Sequence, residues 1–534
     1  MLSICGCIGE NPGASKSTSG GTVVIAATSD PNTLFPPAPS SLDAQQVQEL
    51  IFEYLADVGP GLNTIGDSAF VKELASGWTW SADSTSIAFH INPRAVWQDG
   101  PRVTSKDVAF SFSLYRDEKV SPTTASSLKT IDSVSAPNDS TAVFWFNHRT
   151  PHQFYEAAAQ MLIIPEHVFA SVERDSLEEF AADKKPVGSG KFRLVKWDPA
   201  SRLELGAVEQ HYRGRANPDR IIRTITPEYQ SAVTQLLAGA ADVFPNIRRE
   251  TVGPLTAGGK FNIVSLPGMD YVFLQINLRR PLFASRDLRR ALTMAMDRRA
   301  MVKNLFDTLA AVAIGPTVRA YPTTDTALAQ IPYDTAGAAR TLDSLGWKRP
   351  APGKTRERNG VPLRFTLLVP SSSVSRVRIA ALIQEQLRQA GIEMRTEQMD
   401  FQAFQQRQSR RDFDVVVAGW HMNSAPGMIR DTWTTRAAEK DGSNYGGYSN
   451  PVFDAYVDSA LSASTIPASR AYFKRAHQII IDDAPGVWLY EPRTEVAVHS
   501  RIETTAMRAN SWWLDIANWT ITPSKRIDRD RITR

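Results

Sequence analysis

From Arg286 to Ala418, helical runs and short apolar strands take turns, and this alternation constrains the fold more than any other feature of the chain. Strands separated by helices pack as an α/β layer, with the helices covering a sheet. Asp334 to Leu345 reads as a helix stopped by Gly346, and Val374 to Ala390 as one stopped by Gly391. Glycine takes the left-handed helix cap without a Cβ clash. Each stop leads to a strand, Leu363 to Val369 and Ile392 to Gln398, and Phe413 to Ala418 supplies another. The loop Arg349 to Gly360 is a polar connection. Earlier, Thr22 to Ala27 reads as a short buried strand. Asp43 to Ala56 shows a helical face of Val47, Leu50, Ile51, Tyr54 and Leu55. Ile87 to Ile91 and Ala142 to Phe146 read as strands. Between them, Thr104-Ser105-Lys106-Asp107 is a variant capping box that opens a helix with Val108, Phe112 and Tyr115 on one side. Lys191 to Trp197 and Arg202 to Val208 read as a hairpin.

A chain of 534 residues exceeds one core, so two or three domains are expected. With 42% hydrophobic and 22% charged residues, it reads as a soluble globular protein. Lys and Arg (60) exceed Asp and Glu (56) by a net charge of only +4, and the two signs are interspersed, which argues against a nucleic-acid partner. The densest basic stretch, Lys525, Arg526, Arg529, Arg531 and Arg534, is interrupted by Asp528 and Asp530 and reads as a solvated tail. No run of about 18 apolar residues is present.

Both cysteines, Cys5 and Cys7, precede everything that reads as folded, which leaves no cysteine nucleophile, internal disulfide or thiolate metal site downstream. Ile4-Cys5-Gly6-Cys7 resembles the end of a lipoprotein signal, and Gly9 to Gly21 has the composition of a tether. The expectation is a lipid anchor on Cys7, with the charged and apolar parts of the signal lying upstream of Met1.

The fragments that look catalytic fail on their context. Gly188-Ser189-Gly190-Lys191 lacks the earlier glycine of a phosphate loop, and Phe192 stands where a hydroxyl residue is needed. Ser126-Ser127-Leu128-Lys129 matches Ser-x-x-Lys without the accompanying motifs of penicillin-interactive enzymes, and is expected to lie away from any cleft. His148 and His152 have ligand spacing, but Pro151 between them disfavours a shared helix. No metal, cofactor or catalytic residue is assigned, although a secreted hydrolase of peptides or glycans stays open as the alternative. Trp420, Trp433, Tyr445 and Tyr448 fall in a Gly/Asn/Ser/Pro-rich stretch from Gly419 to Pro451, where two roles stand open: ligand contact, or buried anchors of a loop. His421 is the one histidine with the character of a cleft-lining side chain.

Six signatures occur in order between Thr22 and Ile502. They are Leu74-Ala75-Ser76-Gly77-Trp78 with Ser81-Ala82-Asp83, then Trp97 to Val108, then Val187 to Phe192. Asp287 to Leu292 with Met296-Asp297-Arg298 follows, then Asp412-Phe413-Asp414 with Gly419-Trp420, and Tyr448 to Pro451 with Asp454. Together they resemble the bacterial extracellular solute-binding proteins of the peptide/nickel type. The resemblance implies a periplasmic-binding-protein-like class II α/β fold, with two lobes around a hinge and an inserted domain near the N-terminus. Residues 1–21 would be the tether, and 22–56 with 187–268 and 492–520 a discontinuous first lobe. The insert would be 57–186, the second lobe 269–491 and the basic tail 521–534. It further implies a monomer in the periplasm or on the outer face of the cytoplasmic membrane. Such a protein captures a peptide or other small polar solute and delivers it to an ABC permease, without chemistry.

The resemblance also implies site residues. Trp420 and Asn423 occupy the Gly-Trp motif and the position three residues beyond the tryptophan, where peptide-binding members carry an aspartate for the ligand's amino terminus. Asp30, Asn32, Tyr445 and Tyr490 complete the candidate set, and Glu491 adjoins it. Asparagine offers only a neutral carbonyl where aspartate offers a charge, so the preferred ligand is expected not to be an unmodified short peptide held by its charged amino end but one with hydroxyl or carbonyl groups, unless Asp30 or Glu491 supplies the missing charge.

Overall fold

The computed structural model describes residues 20–531 apart from 246, 440 and 441, so Cys5 and Cys7 lie outside the described residues. The strand Thr22–Ala27 is buried along its whole length. Its side chains alternate between two cores: Val23 and Ile25 enter one, and Val24 and Ala26 the other. It therefore runs through the middle of a seven-stranded sheet. The order is Phe261–Leu266, Thr494–His499, Val243–Pro245, Thr22–Ala27, Arg220–Ile225, Arg202–Ala207 and Phe192–Asp198. Thr22–Ala27 pairs in parallel with both neighbours, and the other pairs are antiparallel.

A six-stranded sheet takes the order Ala310–Val312, Gly486–Pro492, Asp270–Ile276, Val415–His421, Arg364–Pro370, Glu393–Met399. Val415–His421 is likewise covered on both faces: Val415 and Val417 join one core, Val416 and Ala418 another. The helices Thr335–Ser344 and Val374–Gln389 are each followed by a glycine at positive φ, Gly346 at +83° and Gly391 at +80°. A third sheet, antiparallel and four-stranded, holds Ala75–Trp80, Ser86–Ile91, Thr141–Phe146 and Ile131–Asn138. The helix Ser105–Tyr115 beside it starts as the sequence signals, with the Thr104 amide donating to the Asp107 carboxylate at 2.7 Å. The other oxygen of Asp107 accepts the Glu166 amide at 2.8 Å, so the cap also ties down the following segment.

The chain passes between the two larger sheets at Leu266 to Asp270 and again at Pro492 to Thr494. The two crossings touch: a Cβ on Gly268 would lie 1.7 Å from the Pro492 carbonyl oxygen. Beside them, Arg493 Nε donates to the Ser265 hydroxyl, which donates to buried Glu495, both at 2.5 Å.

The basic tail departs from its sequence reading. Asp530 is buried, accepts the Thr22 amide at 2.7 Å and pairs with Arg501 at 2.8 Å. Arg501 also pairs with fully buried Asp242, as does Arg529. Arg529 and Asp530 are thus halves of ion pairs with distant buried residues, while Asp528 and Arg531 pair locally in solvent as the sequence suggests. Among the described residues, no helix is long and apolar enough to cross a membrane.

Candidate functional site

A cavity of about 380 Å³ opens where four parts of the chain meet. The loop Pro36–Ser40 and the helix Leu42–Ile51 form one wall, and residues between 54 and 162 form a second. The end of the strand Val415–His421 forms a third, and residues 510–514 close it. Helix Leu42–Ile51 turns Val47, Leu50 and Ile51 into the first core, which leaves Gln45 and Glu49 toward the cavity.

Glu49 Oε1 accepts the Tyr54 hydroxyl at 2.9 Å, and Oε2 accepts the Trp513 indole N–H at 2.7 Å. Burial pushes the carboxyl up to about 7, and the two neutral donors pull only partly against it. Asp57, also in the wall, is matched by Arg508 at 2.5 Å. The Tyr155 hydroxyl is pushed up to about 12, chiefly by burial. Glu49, Asp57 and Leu514 also line an adjoining chamber of about 210 Å³. There Arg213 bridges Glu53 at 3.0 Å and Glu73 at 3.1 Å.

The turn after Val415–His421 is fixed from several sides. The Met422 amide donates to Met269 O at 2.7 Å, and the Tyr321 hydroxyl donates to the carbonyls of Asn423 and, at 3.2 Å, Ala425. Asn510 reaches across to the Ser424 hydroxyl at 3.2 Å. His421 Nδ1 lies 3.2 Å from the carboxylate of Asp270, its cross-strand partner, and that hydrogen bond raises the ring's pKa.

Of the residues singled out by sequence, Asn423 lies in the cavity wall, with His421 beside it. Trp420 points the other way because neighbouring strand residues face opposite sides. It stacks on Tyr445 at 6.3 Å and 21°, and both line a separate pocket of about 500 Å³ with Arg376. Trp433 and Tyr448 are buried instead, the first donating to the Tyr271 hydroxyl at 2.9 Å and the second to Asp483 at 2.8 Å. The aromatic stretch thus holds two buried anchors, Trp433 and Tyr448, and two pocket-lining side chains, Trp420 and Tyr445.

Asp30 is not in the cavity wall. Its oxygens accept the Trp197 indole at 3.0 Å and the Ala200 amide at 2.6 Å, and so hold the turn of a hairpin. Asn32 bonds Pro39 O at 2.9 Å and the Ser41 amide at 2.7 Å, shaping the loop whose residues Pro36 to Ser40 form the wall. Tyr490 is buried against Phe306 at 4.5 Å. Glu491 is buried and paired with Arg319. Ser127 borders the cavity, contrary to the expectation for its Ser-x-x-Lys fragment, but neither Ser126 nor Lys129 of that match does. Among the described residues, no group of three or more His, Cys, Asp and Glu residues is placed to hold a metal.

Sequence reasoning missed Glu49, Tyr54 and Trp513 as a unit. The only local signal was a polar face on the first helix, because the indole that completes the group lies 464 residues away.

The family described as bacterial extracellular solute-binding proteins, family 5 middle, matches residues 69–438. The oligopeptide-binding protein AppA of Bacillus subtilis (strain 168) is 27% identical over 535 residues, covering 96% of each chain. The solved structure of AppA with a nonapeptide superposes with a TM-score of 0.78 at 24% identity, covering 95% of this chain and 100% of that one. NikA from Brucella suis, solved with Fe(III)-EDTA, gives 0.80 at 17% identity over 94% and 100%. With more than half of the chain matched and the sheets arranged as in these proteins, the chain belongs to the bacterial extracellular solute-binding proteins of family 5.

Proposed function

We propose that this chain is the extracytoplasmic ligand-capturing component of an ABC uptake transporter, and that its ligand is a peptide or similar small polar solute held in the cavity without being altered. The observation that carries this reading is the cavity itself, walled by the loop and helix that follow Thr22–Ala27, by helices and loops between residues 54 and 162, by the end of the strand Val415–His421 and by residues 510–514. Its volume falls within the roughly 300–1,000 Å³ of small-ligand sites. The likeness to AppA, an oligopeptide-binding protein, supports a peptide. A hinge at the touching crossings near Gly268 and Pro492 would suit this reading, since among the described residues only there does the backbone pass between strands of the two larger sheets. Asn423 would serve neutral groups of the ligand with its amide.

Mass spectrometry of material that co-purifies with the protein should find an intact bound solute. Adding that solute at about a hundred times its dissociation constant should raise stability by roughly 2.7 kcal/mol. X-ray scattering should show compaction. Steady release of a cleaved product would instead favour the hydrolase.

The protein acts as a monomer, tethered through a lipid on Cys7. Expressed with its upstream DNA, the parent should incorporate labelled fatty acid and Cys7→Ala should not. Equal labelling of the two removes the anchor from the reading.

A further inference from the structure

The charge in the cavity wall is one-sided. Among the described residues no Lys or Arg lines the 380 Å³ cavity, whose charged wall residues are the carboxylates Glu49 and Asp57 together with titratable His421. Asp57 is already matched by Arg508 behind the wall. Glu49 has only the neutral Tyr54 hydroxyl and Trp513 indole, one on each oxygen. A carboxylate oxygen accepts about two hydrogen bonds, so each retains one acceptor position. The surface of Glu49 that remains open faces the two chambers it lines.

We infer that the cavity recognises a solute bearing a primary ammonium group, and that Glu49 receives it. This rests on the reading of the cavity as the ligand site. The ammonium supplies what the wall lacks: donors for the open acceptor positions and a positive charge beside a carboxyl that burial discourages from ionising. Among the described residues no cation is bonded to Glu49, and the carboxylates that act on Lys191 in the second chamber are Glu53, Glu73 and Asp515. From its own helix, Gln45 and Gln48 share the wall with Glu49. From the next segment come Tyr54 and Asp57, from the four-stranded domain Tyr115 and Tyr155, and from the C-terminal segment Trp513. Arg508 acts on Glu49 through space while bonded to Asp57, and Asp57 opposes it. In the second chamber Arg213 is occupied by Glu53 and Glu73, and Lys191 lies on that side as well.

The proton balance gives a second readout. Glu49, with its carboxyl raised to about 7, carries a proton in the empty cavity at lower pH and must release it when an ammonium binds. Affinity for the ammonium should therefore be largest above about pH 7 and fall as the pH drops.

The test uses a pool of di- to pentapeptides of Gly, Ala, Ser and Leu with amidated C-termini, so that the amino terminus is the one charge, and the same pool N-acetylated. Retention is read by affinity selection and mass spectrometry. The parent at pH 7.5 should prefer free-amine members by about tenfold to a hundredfold, the range of a charge-assisted bond. Glu49→Gln should lose that preference while keeping its fold by circular dichroism, and the parent should lose about tenfold of it at pH 5.5. Equal retention of both pools by the parent, or an undiminished preference in Glu49→Gln, overturns the inference and leaves the peptide reading standing. Retention of neither pool overturns the peptide reading, and the inference with it. If Glu49→Gln does not fold, the parent decides: a preference unchanged between pH 7.5 and 5.5 overturns the assignment.

Discussion

Asp242→Ala is expected to lose about 3–5 kcal/mol of folding stability, the range for breaking one side of a buried ion pair. Asp242 has no exposed surface. Its oxygens accept Arg501 at 2.6 and 2.8 Å, the Val24 amide at 2.9 Å and a further bond from Arg529. Truncation leaves the Arg501 guanidinium buried with Asp530 as its one remaining carboxylate, and strands the Val24 amide of the central strand. Asp458→Ala is the control. Asp458 is 63% exposed and pairs with half-exposed Arg430 at 3.0 Å, so its loss should stay within about 1 kcal/mol. Urea unfolding of both variants measures the difference. Equal losses would mean that the tail network contributes no more than a surface pair.

Gly268→Ala should cost about 1–3 kcal/mol or more, the range for adding a carbon where the surroundings are already full. The position is extreme because the new Cβ would sit 1.7 Å from a backbone oxygen, which cannot rotate aside as a side chain can. Relief requires moving one crossing away from the other, so the variant should also bind the co-purified solute more weakly than the parent. Gly61→Ala, with nothing within 4 Å of its new Cβ, should leave both quantities unchanged. Thermal unfolding and calorimetry report them. A Gly268→Ala protein as stable as the parent would show that the two crossings are not packed together.

Most of the element pattern could be read locally because its causes are local. Thr22–Ala27 is apolar without interruption since both faces are covered, and the glycines after Thr335–Ser344 and Val374–Gln389 stand where a left-handed turn is needed. What escaped were arrangements made by residues far apart. Lys525 to Arg531 has the composition of a solvated segment, yet Asp530 and Arg529 find their partners at Thr22, Arg501 and Asp242. Trp420 and Trp433 sit in one compositional stretch. Trp420 lies on the strand Val415–His421 beside a pocket, and Trp433 ends the helix Met428–Trp433 in the core. Glu49 looked like one more polar residue on a helix. Its environment is created by Trp513, so no window of sequence contains the site.

The interleaving of the sheets also bears on the order in which a chain leaving the ribosome, or threading through an export channel, can acquire structure. The bond from the Thr22 amide to Asp530 spans 508 residues. The strand Thr494–His499 must slot between Val243–Pro245 and Phe261–Leu266, so the first sheet stays incomplete until nearly the whole polypeptide exists. The six-stranded sheet waits equally for Gly486–Pro492. The four-stranded sheet alone among the three draws all its strands from one short stretch, residues 75–146, and is free to form while the rest is still being delivered. The long wait keeps most of the chain uncommitted during transit. The same delay leaves the edge strand Phe261–Leu266 without its partner Thr494–His499 for longest, whereas Thr22–Ala27 can pair once Arg220–Ile225 exists, which makes Phe261–Leu266 the strand most in need of a chaperone.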